Sequence, residues 1–206
     1  MTQPATDSKN TINQAFLDTV ERRGGYPALK SKIDGTYQPT TYDQLADHVK
    51  NFSLGLRELG LNFGDRVAML AENSQKWAVA DLGILSLGAV NVPMFYTSTS
   101  KQVSYIVQDS GSKIICVSTK RQLEKVRAFF DQIPELEKII VFDENTYNGG
   151  LSPIVNDMII NINFRGKIKY LTLPDKQIFL YDTNRTKLLE KFKLDFYNLH
   201  KLVKGF

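Results

Sequence analysis

A chain of 206 residues holds one full domain plus a remainder at about 150 residues per domain, so it can bury a sizeable core without staples. With 42% hydrophobic, 23% charged and 11% aromatic residues, it is excluded from wholesale disorder, collagen-like repeats and low-complexity sequence. A net charge of +4 and a pI near 9.0 raise nucleic-acid or anionic-membrane binding as readings to test, and the single cysteine, Cys116, excludes an internal disulfide and a paired-thiol metal site.

Met1 to Asn10 is polar, without the basic start and apolar core of a secretory signal. Thr11 to Arg23 has helical periodicity, stopped by Gly24-Gly25. Ala28 to Ile33 and Thr36 to Pro39, joined by Asp34-Gly35, read as a hairpin. Thr41-Tyr42-Asp43-Gln44 fits a capping box, in which a Thr hydroxyl takes a free helix amide and the Gln reaches back to the cap. Leu45, Val49, Phe52, Leu56 and Leu59 then form one apolar stripe that ends at Gly60, which predicts a helix packed on a sheet.

Beyond the Asn62–Asp65 turn, Val67 to Ala71 reads as a strand. Asn73-Ser74 offers a cap for a helix over Gln75 to Leu87 that is apolar on most sides and therefore expected to be buried. The stretch from Ala78 to Phe95 is the most apolar of the chain, but Asp81, Ser86, Asn91 and Pro93 interrupt it, so it does not suit a membrane span. Ala89 to Val92 predicts a strand halted by Pro93, Ser100 to Asp109 a helix stopped by Gly111, and Lys113 to Val117 a further strand. Ser118 is the expected cap of a helix carrying Leu123, Val126, Phe129, Phe130 and Ile133, and Lys138 to Phe142 is the next strand. Strands alternating with helices predict an α/β unit with a mostly parallel sheet and flanking helices.

After Gly149-Gly150 the composition changes. The last 56 residues hold ten Lys and Arg against five Asp and Glu, whereas sixteen and seventeen precede them, so the basic excess belongs to the tail. All ten alanines lie before it, and 27 of the 56 tail residues are Lys, Asn, Ile, Phe or Tyr. That bias is of the kind a change of reading frame or of evolutionary origin produces. Two segments follow: an α/β unit over 1–150 and a basic tail over 151–206. Leu188, Leu189, Phe192, Phe196, Leu199, Leu202 and Val203 form an amphipathic stripe with basic edges over 187–204. Leu- and Lys-rich sequence makes such stripes by accident, and that reading is preferred to one of anionic-membrane contact; no nucleic-acid partner is expected.

Several strings go beyond pattern: Thr40-Thr41-Tyr42-Asp43-Gln44-Leu45, Gly64-Asp65-Arg66-Val67-Ala68, Glu72-Asn73-Ser74-Gln75-Lys76-Trp77, and Ala80-Asp81-Leu82-Gly83-Ile84-Leu85-Ser86-Leu87-Gly88-Ala89-Val90-Asn91-Val92-Pro93. In this order, continued by Gln108-Asp109-Ser110-Gly111-Ser112-Lys113, the sequence from Thr11 to Phe142 resembles the beginning of an AMP-forming acyl-CoA synthetase of the adenylate-forming superfamily, most similar to its long-chain fatty acid branch. Lys76 before the Trp, and Tyr96 after Phe95, depart from the pattern common in that branch. The resemblance makes 1–150 a partial AMP-binding domain. It implies a two-step ligation with ATP, magnesium and CoA as the family's cofactors and a fatty acid as substrate: adenylation of the carboxylate gives it a leaving group that CoA sulfur then displaces.

The groups by which the family performs this are a Ser/Thr/Gly-rich loop ending in Pro-Lys-Gly, an adenine-side aromatic with a Thr-Glu motif, a ribose-binding Asp and a C-terminal lysine. None of them can be placed among these 206 residues. No catalytic, cofactor-binding or metal-ligating residue is therefore assigned. Gly83 and Gly88 lie within and at the end of a helix, where packing and capping explain them better than phosphate binding. Tyr96 to Ser100 holds neither glycine nor lysine and reads as a helix cap. His48 is expected as an exposed helical residue, Cys116 as a small buried hydrophobe, Trp77 as core, and Asp65-Arg66 as turn and strand-entry chemistry. The expectation is a cytoplasmic truncated ligase, inactive alone; the competing reading is a binding module that joins a separately encoded remainder or, through its tail, a membrane.

Overall fold

The computed structural model describes residues 11–33, 35–146 and 169–173. Helix α1 (Ile12–Arg23) begins where the Thr11 hydroxyl accepts the Gln14 amide at 3.1 Å. Strands β1 (Pro27–Ile33) and β2 (Thr36–Thr41) pair antiparallel across a tight turn, in which Gly35 takes φ 83°. The Ser31 and Thr40 hydroxyls both donate to Gln75 Oε1, at 3.1 and 3.0 Å, and so moor the hairpin to the start of a later helix.

Helix α2 (Tyr42–Glu58) opens with the anticipated capping box: the Gln44 amide donates to the Thr41 hydroxyl at 3.3 Å, and the Thr41 amide to Gln44 Oε1 at 2.9 Å. Its stripe of Leu45, Val49, Phe52 and Leu56 is buried, and each side chain contributes about 1.5–3 kcal/mol by leaving water.

Four strands then alternate with helices: β3 (Arg66–Leu70), α3 (Gln75–Ser86), β4 (Val90–Met94), α4 (Ser100–Ser110), β5 (Ile114–Val117), α5 (Lys120–Arg127) and β6 (Lys138–Thr146). With β7 (Lys169–Leu173) they form a parallel sheet in the order β4-β3-β5-β6-β7. Val67, Met69, Ile114, Cys116 and Ile140 face one apolar layer with Phe52, Leu56, Val79 and Ile84 of α2 and α3. Ala68, Leu70, Ile115, Val117 and Ile139 face a second layer with Val103, Val107, Leu123 and Val126 of α4 and α5. Buried on both faces, β3 and β5 carry unbroken apolar runs rather than alternation.

Asp65 and Arg66 tie the amino ends of this sheet together. Asp65 pairs with Lys113 at 2.8 Å and accepts the Asn62 amide at 2.9 Å; these two contacts, led by the lysine, hold its carboxyl below the ordinary value against the effect of burial. The Arg66 guanidinium donates to the carbonyls of Ser110, Gly111 and Gly64 at 2.8, 3.0 and 3.2 Å. It thereby closes the turn after α4, where Gly111 takes φ 60°.

The structure corrects four expectations. Strand β4 runs through Pro93 to Met94, because it is an edge strand and a missing N–H there breaks no ladder bond. Thr119, not Ser118, caps α5. That helix ends at Arg127, and a 3-10 turn at Phe130–Gln132 follows; Phe129, Phe130 and Ile133 are nevertheless buried, which is why the apolar spacing suggested a longer helix. His48 is half-buried rather than exposed. In the tail, Lys169–Leu173 forms a strand that periodicity did not single out, and the amphipathic stripe over 187–204 lies outside the described residues.

Gly83 lies buried inside α3. A methyl group there would sit 2.7 Å from Phe52 Cδ1 and 3.4 Å from the Val49 carbonyl oxygen, and Phe52 has no exposed surface through which to retreat. Gly83→Ala is expected to lower stability by about 1–3 kcal/mol through overpacking, measured by thermal or urea unfolding. Gly25→Ala, which meets nothing within 4 Å, is the control expected to leave stability nearly unchanged.

Candidate functional site

The strand order places a reversal at β3: the chain steps outward to β4 on one side, then returns past β3 to β5 on the other. In open α/β sheets, ligands settle outside the carboxyl ends of the strands that flank such a reversal. Here those ends belong to β3 and β5, and their first polar residues are Glu72 and Ser118.

These side chains form a compact network. The Ser118 hydroxyl donates to Glu72 Oε2 and accepts the Glu72 backbone amide at 3.4 Å. Gln122 of α5, fully buried, spends both hydrogens of its Nε2 amide, one on Glu72 Oε1 at 2.9 Å and one on the Tyr96 carbonyl at 3.1 Å. Lys125 Nζ donates to the same carbonyl at 2.5 Å, so the ends of β3, β4 and β5 are cross-braced through one helix. Burial pushes the Glu72 carboxyl up, but the hydrogen bonds from Ser118 and Gln122 outweigh it and its pKa falls below the ordinary 4.5. Burial lowers the Lys125 pKa and the nearby Arg121 charge adds to this, with Glu72 opposing.

The central side chain of the crevice is a carboxylate whose pKa is lowered, and the Lys125 ammonium is turned onto the Tyr96 carbonyl. The first-turn amide of Gln122 in α5 is taken by the Thr119 hydroxyl at 3.4 Å. Among the described residues no group of three or more His, Cys, Asp or Glu could hold a metal, and no helix is long and apolar enough to cross a membrane.

Other residues weighed from the sequence fall outside this network. Tyr96 to Ser100 acts as a cap, Thr99 and Gln102 forming a second capping box on α4. Trp77 packs against the first apolar layer. Gly88 takes φ 66° just beyond α3. Cys116 is buried in β5, which pushes its thiol up to about 12. Sequence reading passed over Glu72 and Gln122 as a pair. The available signals were an acidic residue just past a both-face-buried strand, and a fourth Thr-x-x-Gln, Thr119 to Gln122.

Two outcomes follow from these environments. Because the folded carboxyl of Glu72 lies below 4.5, the stability it adds is complete above that pH and is lost as pH falls through the folded value. Glu72→Ala, which strands the buried Gln122 amide, is expected to lower stability by about 1–3 kcal/mol at neutral pH. Glu72→Gln keeps an acceptor, and in urea titrations it should show a smaller loss and a flatter acid limb. Cys116 should resist a thiol reagent at pH 8 in the folded protein and react once urea unfolds it.

A family model for the AMP-binding enzyme matches residues 16–156. A long-chain-fatty-acid–CoA ligase of Xenopus laevis is 32% identical over 134 residues, which are 65% of this chain and 18% of that protein. A solved fatty acyl CoA synthetase of Mycobacterium tuberculosis has 27% identity and a TM-score of 0.58, over 66% of this chain and 27% of that one. An anthranilate CoA ligase in complex with anthranoyl-AMP, at 24% identity and a TM-score of 0.58 over 72% of this chain and 27% of its own, shares the fold. The chain thus spans about a fifth of the length of the curated relatives it matches. Matched by that model over more than half its length, and folded as the solved relatives are, the chain belongs to the AMP-binding enzyme family.

Proposed function

We propose that this chain supplies the opening scaffold of the AMP-binding domain of a long-chain fatty acid CoA ligase, and that it does not by itself adenylate a fatty acid. The observation that carries this reading is the switch point itself. Where a doubly wound sheet would present backbone amides to a phosphate, this one presents Glu72, braced by Ser118 and Gln122. The relatives named for fatty acid activation support the substrate class, and the matched region is a small part of their length.

On this reading the chemistry of adenylation, with ATP, magnesium and CoA, belongs to sequence beyond the matched region, and the segment's task is to hold its sheet and carboxyl-end loops in place for it. Carboxylate activation depends on clamping the triphosphate while the acyl oxygen attacks, and the braced Glu72 network at the switch point supports assigning that clamp to other sequence. Location in the cytoplasm is part of the same proposal.

Fatty-acid-dependent exchange between pyrophosphate and ATP provides the test. The 206-residue chain is expected to show none, whereas a chimera joining residues 1–146 to the remainder of the Mycobacterium tuberculosis synthetase should regain it. Exchange by the chain alone would overturn the proposal, as would a soluble chimera with no exchange while the parent synthetase is active.

A further inference from the structure

We infer that Gln122 is a two-position latch on the segment from Phe95 to Thr99. The chain contains four Thr-x-x-Gln sequences at helix starts, which serve as internal comparisons. In two of them the Gln folds back on its own cap: Gln44 Oε1 accepts the Thr41 amide at 2.9 Å, and Gln102 Oε1 accepts the Thr99 amide at 2.8 Å. In α1 Gln14 reaches Asp18 Oδ1 at 2.7 Å instead, and the Gln of α5 is diverted across the sheet. Gln122 turns its amide hydrogens to Glu72 and the Tyr96 carbonyl, and its Oε1, in a side chain with no exposed surface, has no hydrogen-bond partner.

Each position leaves one group short. The bridged position satisfies Glu72 and Tyr96 but buries an unpartnered carbonyl oxygen, which is unfavourable. The capping-box position would give that oxygen the Thr119 amide and release the Tyr96 carbonyl to Lys125 alone. The backbone registers the difference: the cap φ is −75° at Thr41 and −74° at Thr99, where the box is closed, but −92° at Thr11, where Gln14 turns to Asp18, and −146° at Thr119. Swinging Gln122 to the box therefore turns Thr119, next to Ser118 on the Glu72 network, and loosens the turn in which the Ser98 amide donates to the Phe95 carbonyl at 2.9 Å. That turn carries Phe95, 82% exposed at the rim of the sheet. The trigger with the right chemistry is any hydrogen-bond donor that takes Glu72 from Gln122.

Nuclear magnetic resonance on the full chain tests this. In the unaltered protein the Gln122 side-chain amide hydrogens should exchange with solvent far more slowly than those of exposed Gln38; equal rates would overturn the bridged position. Gln122→Glu, once alkaline pH has ionised both it and the facing Glu72, cannot donate to Glu72 or Tyr96 but can accept the Thr119 amide, so there it should populate the box. Relative to Gln122→Leu, which can do neither, its Thr119 amide should exchange about tenfold more slowly, with a smaller amide-to-α-proton coupling as φ moves toward −75°. Ser98 amide exchange should rise about tenfold over the unaltered protein in both variants. If Thr119 behaves alike in the two variants, or Ser98 is unchanged, there is no latch.

Discussion

A strand buried on both faces has no room for a polar side chain, and this constraint shapes the protein. In β3 and β5 the runs Val67–Leu70 and Ile114–Val117 are apolar throughout, because helices cover each side of the sheet. Polar chemistry is displaced to where the strands leave the core. At the amino ends it becomes the Asp65–Lys113 pair and the three-carbonyl grip of Arg66. At the carboxyl ends it becomes the Glu72–Ser118–Gln122 network. The first binds loops to the sheet; the second occupies the place where sheets of this order accept ligands.

Much of the fold was legible in the residues because local rules and burial agreed. The Thr41 capping box, the α2 stripe and the helix stops at Gly60 and Gly111 each rest on a mechanism that acts within a few residues. The readings that failed depended on distant partners. Pro93 ends a strand only if its missing N–H would have faced a neighbour, and position at the edge of the sheet decides that. Ser118 and Thr119 are equally good caps by type; Ser118 was already engaged by Glu72, 46 residues earlier.

The candidate site was less legible for the same reason. Gln122 sits in a Thr-x-x-Gln sequence that at Thr41 and Thr99 means a capping box, and only the fold brings Glu72 and the Tyr96 carbonyl within its reach. What the sequence did disclose was kinship, since ordered strings from Thr40 to Lys113 mark the family independently of any site. Membership in an ATP-using family and possession of an ATP clamp are separate properties, and the geometry at the ends of β3 and β5 speaks only to the second.

We propose that the switch point of this sheet is closed by its own side chains to nucleotide phosphates. Titrating the chain with magnesium-ATP while following the amide resonances of Glu72, Ser118, Thr119 and Gln122 tests it most directly. The account expects these four resonances to stay in place at millimolar nucleotide; saturable shifts confined to them would contradict it.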